Sequence, residues 1–259
     1  MTKEEIMKNA GEEHYRRPER LNVNEVRLNG STGIFEKNYK DGDEWKRESL
    51  GTELEITILR LRRRLNDFNS QLRSSEHNSK NDNIILFGKN ERIKGIASEL
   101  REKYKGLRTE NLAYSLLNGE LIKVLIKGAS LGSKDQSDER VSFYEYLNSF
   151  GKDEHVWEYK TILKTMKEKK GAQTYYTLHF VKGEKLSNLT IVGSSMEKLA
   201  NSFTSEDSYY QNVDLKGDQK SKEIKSQNNN NIIESQEDIP SIQVDESLED
   251  DIKPEDLPF

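Results

Sequence analysis

Aromatic rings interleaved with lysines on one predicted hairpin form the group best suited to contact an unpaired polynucleotide. Residues 156–166 and 174–182 are predicted strands that turn near Lys170–Gly171. Bases stack on aromatic faces and phosphates pair with cations, so a ribbon of this composition suits single strands. Half of these aromatics must still face inward. The candidates are Trp157, Tyr159, Lys160, Lys164, Tyr175, Tyr176, His179 and Lys182, with Lys167, Lys169 and Lys170 in the turn.

Three arginines form a second candidate group on predicted strand 54–65. Side chains alternate along a strand, so Arg60, Arg62 and Arg64 share one face and Arg63 takes the other. Apolar residues precede the arginines, so we expect this strand to leave the core and enter a nucleic-acid groove. The alternative is a solvated strand end whose arginines pair with nearby acids.

The dipeptide Asn118–Gly119 predicts a tight hairpin between strands 111–117 and 120–127. In that register Tyr114 faces Lys123, and Lys127 lies further along the same face. A ring beside two cations could stack a base and anchor phosphates. The alternative is a tyrosine whose ring covers the lysine stems.

Residues for catalysis, a metal or a cofactor do not stand out. The chain has no cysteine, which excludes a disulfide framework and thiolate chemistry. Its four histidines lack metal-ligand spacing, and no phosphate-binding glycine loop or nucleophile elbow is present. Abundant acids leave a metal nuclease open, but the sequence favours a protein that is not an enzyme, with no metal and no cofactor.

Charge divides the chain into a basic body and an acidic end. Residues 234–259 hold ten acids and one base, whereas the whole chain has a net charge of only -5. Of the aromatic residues, only Phe259 lies after residue 210. We therefore predict a flexible segment 1–20, a folded domain 21–204, a disordered linker 205–233 and an acidic tail 234–259. No apolar run approaches the length of a membrane span, so the expected location is cytoplasmic, away from membranes.

The chain ends with a short peptide that can dock on a partner. Phe259 offers a ring and a free carboxylate, Pro258 stiffens the backbone, and the preceding acids attract a basic surface. An added residue should abolish docking, because only the last position supplies the carboxylate. The proposed docking residues are Glu255, Asp256, Leu257, Pro258 and Phe259.

This tip resembles that of bacterial and some phage single-stranded-DNA-binding proteins, which end in acids, an aliphatic residue, proline and phenylalanine. The family's tip follows a low-complexity linker and docks on genome-maintenance proteins. The resemblance covers about the last ten residues and the character of the linker. It implies that the body binds single-stranded DNA.

The predicted elements suggest a mixed, mostly β fold resembling an OB-fold. Strands at 23–39, 54–65 and 83–88 precede a helix built on Ile93, Ile96, Leu100 and Tyr104, and the two hairpins follow. An OB-fold is a five-stranded barrel. Here it would carry an added hairpin and short helices at 138–150 and 195–203, the last with a Ser194–Glu197 capping box.

Three functions are compatible with these features. The first is a sequence-independent single-stranded-DNA-binding protein that recruits replication, recombination or repair proteins through its tip and could be a homo-oligomer. The second is an adaptor that uses the tip without binding DNA. The third is a strand-annealing protein, such as a mobile element might encode. Single-stranded RNA also stays open as a ligand.

Overall fold

The computed structural model describes residues 21–89, 91–132 and 139–212, and this part of the chain is mostly β-structure. Seven strands come first: β1 (Asn24–Asn29), β2 (Ile34–Asp41), β3 (Glu44–Gly51), β4 (Glu53–Asp67), β5 (Leu72–Ser74), β6 (Asn83–Phe87) and β7 (Arg92–Ile96). Helix α1 (Ala97–Lys103), strands β8 (Arg108–Leu117) and β9 (Glu120–Ile126), and helix α2 (Phe143–Asn148) follow. The last elements are β10 (Tyr159–Lys170), β11 (Gln173–Lys185) and helix α3 (Thr190–Asn212).

The strands form one extensive curved sheet. Its main path runs β3-β2-β1-β9-β8-β4-β5-β6-β7, and β10 joins the first half of β4 while pairing with β11. Strand β11 returns toward the start of the path, where the Tyr176 N–H donates a hydrogen bond of 2.8 Å to the Gly30 carbonyl. One core lies inside this curve, with side chains from β1, β2, β4, β8, β9, α2, β10 and β11.

A β-bulge in strand β4 reverses which residues of the strand face each side of the sheet. Ile58 pairs with Ser115 and Arg60 with Tyr114, so Leu59 is an extra residue. Before the bulge, Ile56 and Ile58 face the inner core. After it, the arginines lie on the outer face, with Leu59 in a separate outer cluster. The predicted single face running from the isoleucines to the arginines is therefore wrong.

Both predicted hairpins form with the expected turns. Asn118 and Gly119 both have positive φ, which is the backbone of a type I′ turn, and Tyr114 pairs with Lys123 as the spacing predicts. In the second hairpin Lys170 pairs with Gln173 and Gly171 has φ of 59°. Turn chemistry is local, which is why sequence alone can place both turns and the register of the first hairpin.

Helix α3 is longer than its apolar stripe suggests. It covers Thr190–Asn212 and packs Leu199, Phe203 and Met196 against the outer face of the sheet. Ser194 lies inside the helix, where its hydroxyl donates to the Ile191 carbonyl, so the Ser194–Glu197 capping box is wrong. Residues 205–212, assigned from sequence to a disordered linker, belong to this helix.

Other boundaries also differ from prediction. Ile93 and Ile96 belong to β7 and not to a helix, because Asn83–Phe87 supplies a pairing strand that spacing alone cannot reveal. Strands β3 and β5 were not predicted, and the predicted order of three strands, a helix and two strands is too simple. Helix α2 is confirmed in shortened form, with a capping box made by Ser142 and Glu145.

Candidate nucleic-acid interface

Helix α3 covers the middle of the arginine row on β4. Arg62 is 1% exposed, and its guanidinium hydrogen-bonds Asp207 at 2.5 and 3.2 Å and the Glu76 carbonyl at 2.8 Å. It also lies 4.6 Å from the centre of the Phe203 ring. The expectation that Arg62 presents a free charge to a groove is wrong, because α3 covers its guanidinium and Asp207 pairs with it.

Arg64 and Arg60 have opposite environments. Arg64 is buried, and its side chain donates to Glu110 at 2.6 Å and to Glu25 at 3.1 Å. These two carboxylates neutralise it, so the groove assignment is wrong for Arg64 as well. Arg60 is exposed, and no ion pair or side-chain hydrogen bond of Arg60 is found within the described ranges.

Tyr114 and Lys123 meet as predicted but under α3. Tyr114 is 5% exposed, its hydroxyl donates to Glu76 at 2.6 Å, and Lys123 donates to the same carboxylate at 2.9 Å. Burial alone would raise the pKa of Glu76, but Lys123 and the Tyr114 hydroxyl hold that pKa below its ordinary value. Burial raises the pKa of Tyr114. The predicted stacking platform is wrong, because the Phe203 ring packs against the Tyr114 ring with their centres 4.9 Å apart.

Lys127 lies at the open end of this face. Its side chain is 60% exposed, and its ammonium is 4.0 Å from a Glu110 carboxylate oxygen. Glu110 is itself buried and lies closer to Arg64, at 2.6 Å, so it holds Lys127 only weakly. Lys127 is therefore accessible to an anionic ligand.

The base of the β10–β11 hairpin uses its predicted residues in internal contacts. Lys160 pairs with Glu55 at 2.6 Å and with Glu184 at 3.1 Å, and Lys164 pairs with Glu53 at 3.2 Å.

Two aromatic residues at this base also make contacts within the protein. The Tyr159 hydroxyl donates to Glu154 at 2.6 Å, and Lys182 lies 4.2 Å from the centre of the tyrosine ring. Trp157 stacks on His155 at 5.1 Å, in a short turn before β10 rather than within the strand.

The outer part of this hairpin has lysines without such partners. Lys167, Lys169 and Lys170 are exposed, and none has an ion pair within the part of the chain that the structure describes. Lys167 pairs in register with Tyr176, and Glu168 with Tyr175. Both tyrosines are half-buried, because Tyr176 packs its ring against Gly33 and Tyr175 lies near Arg140. The outer hairpin therefore combines accessible cations with partly accessible rings.

Sequence analysis missed a second projecting ribbon. Strands β2 and β3 form a hairpin in which Lys40 pairs with Trp45, and Trp45 is 74% exposed. Arg47, two residues along the same face, is 64% exposed. The two-residue loop is Gly42–Asp43, and glycine followed by aspartate is a hairpin signal that could have identified this ribbon from sequence.

A cleft of about 260 Å³ opens beside the middle of β4, and we call it the β4-edge cleft. It lies between the end of the β10 pairing at Ile56 and the isolated bridge of Arg63 with His77. Its lining comprises Leu59, Arg60, Leu61, Arg62, Arg63, Asn78, Asn111, Phe143, Tyr144, Leu147 and Met196. Only tertiary structure could have identified it, because these residues come from five separate parts of the chain.

The docking residues Glu255, Asp256, Leu257, Pro258 and Phe259 lie outside the described residues, as do segments 1–20 and 213–259. Among the described residues, no three or more histidines and acids are grouped to hold a metal ion. No helix in the described ranges has the length and apolarity needed to cross a membrane. No protein-family model, curated protein or solved structure matches this chain.

Proposed function

We propose that this protein binds single-stranded DNA without strong sequence preference and recruits replication, recombination or repair proteins through its C-terminal tip. The observation that carries the proposal is the sequence Glu255–Phe259 at the end of an acidic tail. A terminal ring with a free carboxylate suits a pocket that buries one and pairs with the other. The docking half of the proposal requires Phe259 to be the last residue of the chain.

The body supports the binding half through its accessible cations. Lys167, Lys169 and Lys170 project from the outer hairpin, and Arg60 is exposed on β4. Tyr175 and Tyr176 are half-buried on the same hairpin as the lysines. Sequence-independent binding of single strands combines phosphate contacts with base stacking. This arrangement therefore replaces the predicted groove of Arg62, Arg64, Tyr114 and Lys123.

We also propose that the body is an OB-like barrel with an added hairpin. Support comes from the inner core, which seven strands and α2 share. The parallel pair β1–β9 and the additional strands distinguish this body from a simple five-stranded barrel. In this proposal α3 is a further addition that covers the outer face.

Titration of oligo-dT with the full chain and with residues 1–212 tests the DNA-binding half. The shortened chain must end at 212, because ending at 204 would remove Asp207 and Tyr210 from α3. We expect both forms to bind more weakly as salt rises, and residues 1–212 to bind at least as tightly as the full chain. No binding by either form at low ionic strength would contradict this half.

A peptide of the last ten residues tests the docking half against purified helicases, polymerases, recombinases and nucleases. The matched control is the same peptide with one glycine added after Phe259. We expect the native peptide to bind and the extended peptide not to bind, because the added glycine moves the carboxylate away from the Phe259 ring. Equal binding of the two peptides would remove the proposed docking mode.

An adaptor that binds no DNA is the second candidate. It is favoured by one observation: Arg62, Arg64, Lys123, Lys160 and Lys164 all pair with acids. In that case neither form binds oligo-dT, while the tip peptide still docks. A strand-annealing protein would instead bind oligo-dT and accelerate pairing of complementary strands.

A further inference from the structure

We infer that the β4-edge cleft is a binding site for one unpaired base of a single-stranded nucleic acid, with the neighbouring phosphates on Arg60 and Arg63. This inference rests on the proposed function and adds a specific site to it. Three features of the cleft support the inference: its rim, its walls and the strand edge beside it.

The rim carries two arginines without partners. Arg60 and Arg63 both line the cleft, and neither has an ion pair or side-chain hydrogen bond among residues 21–89, 91–132 and 139–212. They are three positions apart in a strand, so they project from opposite faces and bracket the strand edge. Their neighbours Arg62 and Arg64 are both neutralised by acids. Two free guanidiniums on either side of one opening suit successive phosphates.

The walls combine apolar and amide side chains. Phe143, Tyr144 and Leu147 come from α2, and Met196 comes from α3. Asn111 is 3% exposed and its amide donates to the Tyr144 hydroxyl at 3.4 Å. A base needs a flat contact and a few fixed polar groups. Phe143 and Leu147 are almost fully buried, so the accessible contacts are the half-buried Tyr144 ring and Met196. The volume of about 260 Å³ is slightly below that of drug-sized sites, so a single ring system fits better than a larger ligand.

The strand edge supplies a free backbone pair. Arg63 and His77 exchange two hydrogen bonds of 2.7 and 2.9 Å on this edge of β4. Backbone groups alternate in direction, so the N–H and C=O of Leu61 point from the same edge into the cleft. Within the described ranges, neither group has a backbone hydrogen bond outside the strand ladders. An adjacent donor and acceptor can pair with the edge of a base.

Arg62 provides an additional unpaired donor at the cleft. Its two terminal nitrogens are bonded to Asp207 and Glu76, but its Nε is buried and has no acceptor among the described residues. Buried donors in native proteins normally have partners. The wall of the cleft therefore includes a buried donor that lacks a partner among the described residues.

Photo-cross-linking tests the site with the full chain and oligo-dT carrying one 5-iodouracil. We expect cross-links on Tyr144 or Met196, mapped by mass spectrometry. In parallel, the double variant Arg60→Ala/Arg63→Ala should bind oligo-dT about tenfold more weakly and lower the salt slope by about two. The charge-matched control is Lys89→Ala/Lys105→Ala, two exposed lysines that do not line the cleft. The control should change affinity by less than about twofold.

The outcomes separate this inference from the proposed function. Cross-links at the cleft together with the selective loss in the arginine variant support the site. Tight oligo-dT binding with cross-links only elsewhere, or with equal losses in variant and control, overturns the site and leaves DNA binding intact. Absence of oligo-dT binding by the unmodified chain overturns both.

Discussion

At the scale of single residues, burial decides which charged groups are available. The arginines of β4 are chemically identical, but α3 and two carboxylates enclose Arg62 and Arg64 while Arg60 is exposed. A buried charge is tolerated only with a partner, so these pairs are part of the fold. Accessible positive charge at this strand is correspondingly smaller than the sequence suggests.

Asp207→Ala tests the enclosed pair. Removing this carboxylate leaves Arg62 buried without its charge partner and should lower the free energy of unfolding by about 3 kcal/mol. Chemical denaturation measures the change. The matched control Ser208→Ala alters the adjacent, exposed position and should cost less than about 0.5 kcal/mol. Equal effects of the two substitutions would show that the pair adds little.

His77 should make stability depend on pH. It is 3% exposed, and burial lowers its pKa from 6.5 to about 4. Between these values the unfolded chain binds the proton and the folded protein does not. Stability therefore falls as pH drops through this window, by up to about 3 kcal/mol.

Denaturation of the wild type and His77→Gln from pH 7 to pH 4 measures this dependence. The glutamine variant cannot take up that proton, so its stability should decline less over the window. Parallel declines in the two proteins would assign the pH dependence to other groups.

At the scale of elements, local signals predicted the hairpins and missed the effects of packing. Asn118–Gly119 gave the right pairing because the turn itself sets the register, and Lys170–Gly171 gave the right place for the second turn. The bulge at Leu59 and the covering of the outer face by α3 depend on distant partners. Tyr114 and Lys123 were therefore placed together correctly but assigned to the wrong environment.

Gly33→Ala tests how β11 meets the β1–β2 turn. Gly33 has φ of 73°, and an added Cβ would lie 2.6 Å from the Tyr176 ring. Gly42→Ala is the matched control, with φ of 61° and nothing within 4 Å. Backbone strain should cost about 1 kcal/mol at both positions, and the clash should add at least about 1 kcal/mol at Gly33. Similar unfolding free energies for the two variants would contradict this close packing.

At the scale of the whole molecule, charge is divided between the folded body and the acidic end. Residues 234–259 contain ten of the acids, while the outer hairpin concentrates lysines without ion pairs among the described residues. Such lysines attract anions, and the acidic end attracts cations. The proposed binding and recruiting roles follow this division.

Replacing Lys167, Lys169 and Lys170 together by alanine tests the outer hairpin. If each lysine contacts a phosphate, the plot of log affinity for oligo-dT against log salt concentration should become shallower. Its slope should fall in magnitude by about two to three. The matched control replaces Lys89, Lys105 and Lys198, which are equally exposed. A slope unchanged in the hairpin variant, or changed equally in the control, would remove the hairpin from the interface.

The sequence by itself determined the mostly β class, the two hairpins, the register of the first of them, and the contrast between a basic body and an acidic, phenylalanine-terminated end. These properties depend on composition, on alternation within a strand and on turn residues, all of which act locally. Only the tertiary structure decided that Arg62, Arg64 and Tyr114 are enclosed, that Trp45 is exposed, and that α2, α3 and the β4 edge form a cleft. Burial depends on which distant elements pack together, and no local pattern contains that information.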